Sequence, residues 1–195
     1  MQGWPHIRNG EHTLICAPTG SGKTLTSFLS SIDSLTTNSR PEERSHRTRV
    51  LYISPLRALA FDIEKNLRAP LKGIEFAAER LGEPFVVPEV GMRTGDTPAN
   101  DRQKLVRRPP DLLITTPESL YLMCTSAARE TLVGVKTVII DEIHALAESK
   151  RGDQLMLALA RRIVDARVLH LIKMGLECAV EETDDRGRKT RTTEA

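Results

Sequence analysis

The sequence predicts an α/β fold in which a parallel β-sheet carries helices on both faces. Five short apolar runs alternate with segments whose apolar residues recur every three or four positions, as in strands that alternate with amphipathic helices. A glycine-rich stretch joins the first run to the first helical segment, and the last run ends in two adjacent carboxylates. This alternation is typical of a doubly wound parallel sheet whose strands are buried on both faces.

The first apolar run, Thr13–Ala17, leads into a stretch with the spacing of a Walker A phosphate-binding loop, formed by Ala17, Pro18, Thr19, Gly20, Ser21, Gly22, Lys23 and Thr24. In such a loop, backbone N–H groups and the following helix N-terminus hold phosphate oxygens, and Gly20 and Gly22 let the backbone approach them. We expect Lys23 to reach the β- and γ-phosphates of ATP and the Thr24 hydroxyl to coordinate Mg²⁺. The alternative is a simple glycine- and serine-rich turn between a strand and a helix.

The second apolar run, Val50–Ser54, precedes a long helical pattern. The apolar face of this pattern consists of Leu56, Leu59, Ala60, Ile63 and Leu67. Pro70 should end or kink the helix, because proline lacks a backbone N–H and its ring clashes with the preceding turn. A second helical pattern then runs from Leu71 to Leu81 and stops at Gly82. Both apolar faces predict core packing.

The third and fourth runs, Val86–Met92 and Asp111–Thr115, complete a set of strand ends at which a hydroxyl residue precedes proline: Ser54-Pro55, Thr97-Pro98 and Thr116-Pro117. Each pair predicts a helix start, with the hydroxyl residue at the N-cap and proline at the first helical position. Loops that leave the carboxyl ends of parallel strands share one edge, where ligands bind. Helix N-termini on that edge suit nucleic-acid phosphates, although each pair taken singly is better explained as an ordinary cap.

The fifth run, Val135–Asp141, delivers Asp141 and Glu142 to the end of a buried strand. This is the context of a Walker B site, in which Asp141 would hold Mg²⁺ and Glu142 would accept a proton from the attacking water. The alternative is a strand that ends in acidic residues at a helix N-terminus, where the helix dipole favours negative charge. The Walker A spacing upstream favours the catalytic interpretation.

Composition narrows the classes of protein without identifying a partner. The 28 lysine and arginine residues nearly balance 26 aspartate and glutamate residues, so any nucleic-acid surface must be local. The three cysteines, Cys16, Cys124 and Cys178, are widely spaced and follow no zinc or disulfide pattern. The sequence shows no candidate membrane span and no signal-peptide pattern at its start, so we expect a cytoplasmic protein with no membrane partner.

Five stretches resemble, in order and spacing, motifs I, Ia, Ic, Ib and II of superfamily-two helicases: Ala17–Thr24, Ser54–Leu59, Arg93–Asp96, Thr115–Leu120 and Asp141–His144. The Arg57-Ala58-Leu59 tripeptide and the Asp-Glu-Ile-His tetrad are most similar to the Lhr (long helicase-related) branch. The resemblance covers roughly residues 3–165. It implies the first of two RecA-like domains of an ATP-dependent DNA helicase involved in DNA repair, with translocation in the 3′–5′ direction.

The resemblance also implies roles for individual residues. Lys23, Asp141 and Glu142 would serve ATP hydrolysis with Mg²⁺, and His144 would link the ATP site to a second RecA-like domain. Single-stranded DNA, with RNA or a hybrid as alternatives, would lie along Ser54, Pro55, Arg57, Thr94, Gly95 and Thr116.

The sequence departs from the family after the helical pattern at Gly152–Val164. The family has a strand ending in Ser-Ala-Thr there, whereas this chain has Arg167–Lys173 and then a polar tail. We therefore expect a RecA-like domain over residues 1–166 without motifs III to VI, and a largely disordered tail over 167–195. The alternative to a helicase ATPase domain is a truncated, catalytically inactive remnant that binds ATP and nucleic acid. A P-loop ATPase unrelated to nucleic acid would leave the three helix-start loops unexplained.

Overall fold

A computed structural model describes residues 4–15, 22–146, 150–160, 180–183 and 189–192. The helices are α1 (Trp4–Arg8), α2 (Lys23–Thr37), α3 (Arg57–Leu81), α4 (Ala99–Arg107), α5 (Pro117–Cys124) and α6 (Lys150–Ala160). The strands are β1 (Val50–Ile53), β2 (Val90–Arg93), β3 (Leu112–Thr115), β4 (Thr137–Ile140), β5 (Val180–Thr183) and β6 (Lys189–Thr192). Short 3₁₀ turns cover Arg44–His46, Ala127–Leu132 and Ile143–Leu146.

The first four strands form one parallel sheet in the order β2-β3-β1-β4. All four strands end in register: Ile53 of β1 lies opposite both Thr115 of β3 and Ile140 of β4, and Thr115 lies opposite Arg93 of β2. Because parallel strands point the same way, the four loops that leave their carboxyl ends emerge at one edge of the sheet.

Alternate residues of the central strands face two separate hydrophobic clusters, one on each face of the sheet. One cluster contains Tyr52 and Ile114 and packs against α2 and α3 through Phe28, Ile32, Leu35, Ala60, Leu67 and Leu71. The other contains Leu51, Ile53 and Leu113 and packs against α5 and α6 through Leu120, Met123, Leu155, Ala158 and Leu159. Helices therefore cover both faces of a parallel sheet, which confirms the predicted α/β class.

A buried carboxylate ties together the opposite edge, where the strands begin. The side chain of Asp111 is 1% exposed and accepts hydrogen bonds from both Nε and Nη2 of Arg40 and, at 2.8 Å, from the backbone N–H of Glu89. Nη2 of the buried Arg49 lies 3.5 Å from the same carboxylate. Asp111 therefore fixes the loop after α2 to the start of β3 and to the residue before β2.

Four of the five predicted strands are present, two of them with clearly shorter bounds. The third begins at Val90 rather than Val86, where Pro88 has no N–H for a sheet and Val86 is 65% exposed. The predicted first strand, Thr13–Ala17, is not confirmed: residues 13–15 are irregular, and Leu14 is 64% exposed and lacks the packing that a buried strand needs. Residues 16 and 17 lie outside the described part.

Of the two outcomes expected at Pro70, an end of the helix is wrong, because α3 continues through it as one helix of 25 residues. Leu67 and Leu71 are buried on either side of the proline, so packing against the sheet holds the helix together where local propensity disfavours it. The predicted stop at Gly82 is confirmed. Gly82 has φ 70°, and its N–H bonds the carbonyls of Ala78 and Glu79, as in a left-handed C-cap.

The polar tail, predicted to be largely disordered, contains the two strands β5 and β6, which pair antiparallel. The rest of residues 161–195 lies outside the described part, so the boundary near residue 166 stays a prediction. None of the helices that the structure describes combines the length and apolar character needed to cross a bilayer.

Candidate nucleotide site and nucleic-acid edge

The four residues that follow the strands lie side by side at one edge of the sheet. Because the strands end in register, the order along this edge is Thr94 after β2, Thr116 after β3, Ser54 after β1 and Asp141 after β4. The N–H of Ser54 bonds the carbonyl of Thr115, and the N–H of Asp141 bonds that of Ile53, both at 3.0 Å. The sheet therefore brings together the predicted Walker B carboxylate and three predicted nucleic-acid loops.

Both oxygens of the Asp141 carboxylate accept hydrogen bonds within the chain. Oδ1 accepts the backbone N–H of Glu142 at 3.0 Å, and Oδ2 accepts the hydroxyl of Tyr52. Tyr52 is fully buried in β1. Burial raises the pKa of Tyr52, and the hydrogen bond to Asp141 and the charges of Asp141 and Glu142 raise it further. The Tyr52 hydroxyl therefore keeps its proton at neutral pH and is the donor.

Glu142 has a backbone conformation that residues with a Cβ rarely adopt. Its φ is 45°, and it is the one non-glycine residue of the described part with a positive φ. Its carbonyl accepts the N–H of Ala145 at 2.8 Å, which closes the turn after β4. Left-handed backbone at a non-glycine residue is strained and concentrates at functional sites, where surrounding structure maintains it.

Helix α2 connects the predicted phosphate-binding loop to Asp141. The helix begins at Lys23, directly after Gly22, whose φ of 84° favours glycine. Thr24 lies in the first turn, and Phe28 lies one turn later on the same helical face. The Phe28 ring stacks on Tyr52 with centroids 4.9 Å apart, and Tyr52 in turn reaches Asp141. These two contacts link the first two turns of α2 to the carboxylate.

Several predicted site residues lie outside the described part of the structure. They are Ala17, Pro18, Thr19, Gly20 and Ser21 of the phosphate-binding loop. For Lys23 and His144 only the backbone is described, at the start of α2 and in the 3₁₀ turn after Glu142. Their predicted roles stay predictions.

The predicted helix starts differ from the observed ones in two of three cases. Thr116 is the N-cap of α5 and Pro117 its first residue, as predicted. In contrast, α4 begins one residue after Pro98 and α3 two residues after Pro55.

Local hydrogen bonds explain the two shifted helix starts. The Ser54 hydroxyl donates to the Leu56 carbonyl at 3.1 Å, and the Thr97 hydroxyl accepts the N–H of Thr94 at 2.9 Å. Both hydroxyls therefore form turns ahead of the helix, where the prediction had them capping it.

Most side chains predicted to contact nucleic acid are buried. Ser54, Thr94 and Thr116 are at most 3% exposed, and Pro55 is also buried. The Thr116 hydroxyl donates to Ser119 at 3.3 Å. These side chains shape the loops, so contact with a ligand would fall to exposed neighbours and to the backbone.

Arg57 and Gly95 are the exposed members of the predicted set. The Arg57 guanidinium forms an ion pair with both carboxylate oxygens of Asp96, and the two side chains are 58% and 64% exposed. Beside this pair is a groove of about 630 Å³ between α3 and α4. Phe61, one turn after Arg57, lines the groove and is 52% exposed.

Arg151, in α6, joins two of the edge loops. Its Nη1 donates to the carbonyl of Pro55 at 3.2 Å, and its Nε lies 2.7 Å from the Glu118 carboxylate. Arg151 therefore connects the loop after β1 and the start of α5 to the helix that follows the Walker B turn.

Sequence reasoning missed Tyr52, Phe61 and the bridging role of Arg151. Tyr52 is one residue of an apolar strand, and its partner Asp141 is 89 positions away, so no local pattern connects them. Phe61 had a usable signal, because it is an aromatic residue on the polar side of the α3 pattern. The contacts of Arg151 depend on how three elements pack.

The sequence matches the family model of DEAD/DEAH box helicases over residues 1–171. It is 58% identical over 158 residues to a Lhr helicase/probable uracil glycosylase of Mycolicibacterium smegmatis and 53% identical over 190 residues to a Lhr helicase/uracil glycosylase of Escherichia coli. These alignments cover 81% and 94% of this chain but 10% and 12% of the relatives. The chain thus spans about a tenth of the length of these curated relatives.

A solved structure of Mycobacterium smegmatis helicase Lhr bound to ssDNA and AMP-PNP is similar to this chain, with a TM-score of 0.76 and 53% sequence identity. The similarity covers 88% of this chain and 20% of that one. The likeness shows that the parallel sheet and its helices form the predicted RecA-like fold.

Proposed function

Because the chain belongs to the DEAD/DEAH box helicases, and within them to the Lhr branch, we propose that it is the ATP-binding domain of an ATP-dependent DNA helicase. In this proposal the domain binds ATP with Mg²⁺ and hydrolyses ATP in response to single-stranded nucleic acid, in concert with a second RecA-like domain. The similar Lhr structure contains ssDNA and AMP-PNP, which supports the proposal that this chain binds single-stranded nucleic acid and a nucleotide.

One observation carries the nucleotide site: the contact series from Phe28 through Tyr52 to Asp141. It links the first two turns of α2, which include Thr24, to a carboxylate at the sheet edge. A hydroxyl and a carboxylate fit Mg²⁺, which keeps several waters and takes its other oxygens from substrate phosphates. The cation would neutralise charge on the β- and γ-phosphates.

Other residues of the chain would bind the phosphates, accept a proton from water and contact the second domain. Residues 17–24 would hold the phosphates with backbone N–H groups, and the Lys23 ammonium would pair with the β/γ-phosphates. Glu142, next to Asp141, would accept a proton from the attacking water. His144, two residues further on, would contact the second RecA-like domain and connect its position to the ATP site.

The nucleic acid would lie along the edge formed by the loops at Ser54, Thr94 and Thr116. Arg57 and the backbone at Gly95 are exposed there and suit phosphates, whereas the exposed Phe61 offers a ring on which a base can stack. Phosphate contacts carry no sequence information, so we propose binding without sequence preference. Single-stranded DNA is the proposed substrate, and RNA or a hybrid is the alternative to compare with it.

Nucleotide binding tests the first half of the proposal. Lys23→Ala removes a charge-assisted contact worth about 1.5–3 kcal/mol, so ATP·Mg²⁺ affinity should fall at least about tenfold in calorimetric titrations. Lys72→Ala, an exposed lysine on α3, is the matched control and should bind as the unmodified chain does. Equal affinities for the Lys23 variant and the control would contradict the proposed site.

Nucleic-acid binding tests the second half. We expect a dissociation constant of roughly 10⁻⁴–10⁻⁶ M for single-stranded DNA, because one domain offers few phosphate contacts. Arg57→Ala should weaken binding equally for unrelated sequences and reduce the salt slope by about one, measured by fluorescence anisotropy. Arg80→Ala, at the exposed far end of the same helix, should leave both quantities unchanged. Binding that is indifferent to salt would refute the proposed edge.

A further inference from the structure

We propose that Tyr52 is a positioning residue for Asp141, whose hydroxyl fixes the orientation in which this carboxylate receives Mg²⁺. The inference rests on the proposed nucleotide site and adds a residue that contacts neither ATP nor the metal. It starts from the hydrogen bond between a fully buried tyrosine and the carboxylate at the end of the neighbouring strand.

The surroundings of Tyr52 leave its hydroxyl little freedom. The ring is 0% exposed, belongs to the cluster beneath α2 and α3, and stacks on Phe28 with an interplanar angle of 21°. Tyrosine has two rotatable side-chain bonds, so packing of the ring fixes where the oxygen lies. A rigid donor at a fixed point restricts the carboxylate that accepts from it.

The hydrogen bonds at Asp141 leave lone-pair sites on its carboxylate that can accept a cation. Tyr52 donates to Oδ2 and the backbone N–H of Glu142 donates to Oδ1 at 3.0 Å, so each oxygen receives one hydrogen bond from this pair. An ionised carboxylate has about four lone-pair sites, and the remaining ones can accept a cation or its water. Groups that orient a metal ligand in this way typically change metal affinity by about 10- to 100-fold when removed.

Tyr52 also ties the carboxylate to the helix that follows the phosphate-binding loop. Phe28 lies one turn after Thr24, so the Phe28–Tyr52 stack contacts the second turn of α2 while the Tyr52 hydroxyl bonds Asp141. A single side chain thus connects the two protein groups proposed to share Mg²⁺. If Tyr52 only stabilised the fold, its hydroxyl would still need a hydrogen-bond acceptor, but removing the hydroxyl would not change how nucleotide binding depends on Mg²⁺.

Tyr52→Phe tests the inference. Tyr121→Phe is the matched control, because Tyr121 is half-buried in α5 and packs against the cluster on the other face of the sheet. Binding of a fluorescent ATP analogue is titrated with Mg²⁺ from an EDTA-containing start. We expect both variants to bind the metal-free analogue within about twofold of the unmodified chain. Tyr52→Phe should need about 10- to 100-fold more Mg²⁺ for half of the metal-dependent gain in affinity.

The outcomes separate the inference from the proposed function. If the unmodified chain shows no Mg²⁺-dependent binding of the analogue, the proposed nucleotide site fails and the role of Tyr52 fails with it. If the unmodified chain shows it and Tyr52→Phe has the same Mg²⁺ requirement as Tyr121→Phe, only the positioning role is overturned.

A second measurement holds even if Tyr52→Phe fails to fold. The chain has two tyrosines, so Tyr121→Phe leaves Tyr52 as the sole one. With ¹³C-labelled tyrosine, the ring carbon that bears the hydroxyl should change its NMR shift when Mg²⁺ is added to the analogue-bound protein. An unchanged resonance at saturating Mg²⁺ would overturn the inference.

Discussion

At the proposed nucleic-acid edge, a carboxylate of the same chain competes with nucleic-acid phosphates for Arg57. Asp96 pairs with its guanidinium through both carboxylate oxygens, and both side chains face solvent. A phosphate that binds Arg57 must therefore share or displace a carboxylate of the same chain. Asp96 would lower the affinity of the edge for nucleic acid.

Asp96→Asn should increase the affinity for single-stranded DNA by up to about fivefold, because exposed ion pairs are worth only ~0.2–1 kcal/mol. Fluorescence anisotropy at low salt measures the change. Glu83→Gln is the control: it removes the same charge at an exposed position just after the far end of α3, away from Arg57. An equal gain in both variants would mean that net charge, and not release of Arg57, is responsible.

Asp111, at the opposite edge, predicts how stability depends on pH. Burial alone would raise the pKa of Asp111, but hydrogen bonds from Arg40 and the N–H of Glu89, with the charges of Arg40 and Arg47, hold it below the ordinary 3.8. Its contribution to folding is therefore fully present above about pH 4 and is lost as the pH falls through the lower folded value.

Asp111→Asn should lower the free energy of unfolding by about 3 kcal/mol at pH 7, because it leaves buried guanidinium charge without its partner. The difference from the unmodified chain should shrink as the pH falls below 4, since both proteins then lack that negative charge. Urea unfolding at pH 7, 4 and 3 measures it. Asp62→Asn, on the exposed side of α3, should show a small and constant difference. A constant large difference for Asp111→Asn would contradict this assignment.

Among the elements, α3 contains a proline in its interior, and packing of the helix against the sheet outweighs the tendency of proline to end a helix. Pro70 provides no N–H for the carbonyl of Asn66, yet the helix continues for eleven further residues, to Leu81. Pro70→Ala restores the hydrogen bond and a better helix former, so we expect a gain in unfolding free energy of about 1–2 kcal/mol.

Gly73→Ala is a benchmark in the same helix. A Cβ at that position meets no atom within 4 Å, so alanine should stabilise by about 0.5–1 kcal/mol. Urea unfolding of both variants gives the comparison. A loss of stability for Pro70→Ala, with the expected gain for Gly73→Ala, would mean that packing of the proline ring outweighs the missing hydrogen bond.

The elements show how far the sequence determines the structure locally. The strand at Val50–Ile53 was predictable because all its residues are apolar, as in a central strand that helices bury on both faces. The shared edge was predictable too, since parallel strands place their exits together. Contacts between distant segments determine instead that α3 continues through Pro70. They also determine the burial of Ser54, Thr94 and Thr116. The Tyr52–Asp141 contact likewise joins two strands that pair only in the folded sheet.

At the scale of the whole molecule, the chain corresponds to 20% of the Lhr chain of known structure. In related P-loop enzymes, an arginine supplied from outside the site accelerates phosphoryl transfer about 10³–10⁵-fold. Arg151, close in sequence to Glu142, does not suit this role as placed, because its guanidinium already contacts Glu118 and Pro55. A second RecA-like domain is the proposed source.

The 195-residue chain assayed alone should therefore bind ATP but release phosphate slowly, without stimulation by single-stranded DNA and without unwinding. Adding a chain with the second RecA-like domain of a relative should restore stimulated hydrolysis. Phosphate release measures both, and Glu142→Gln excludes contaminating ATPases. DNA-stimulated hydrolysis by the lone chain, abolished by Glu142→Gln, would show that the domain contains its own catalytic arginine.

The left-handed backbone of Glu142 affects how this protein can be engineered. With φ at 45°, glutamate keeps a conformation that glycine adopts without strain, so Glu142→Gly should relieve up to about 1 kcal/mol of backbone strain. The same exchange deletes the proposed base. Laboratory evolution that selects only for resistance to heating would therefore enrich glycine at position 142. The most heat-stable variants would then lack the proposed base and would not hydrolyse ATP. Each round of such a campaign needs a turnover screen beside the heat challenge.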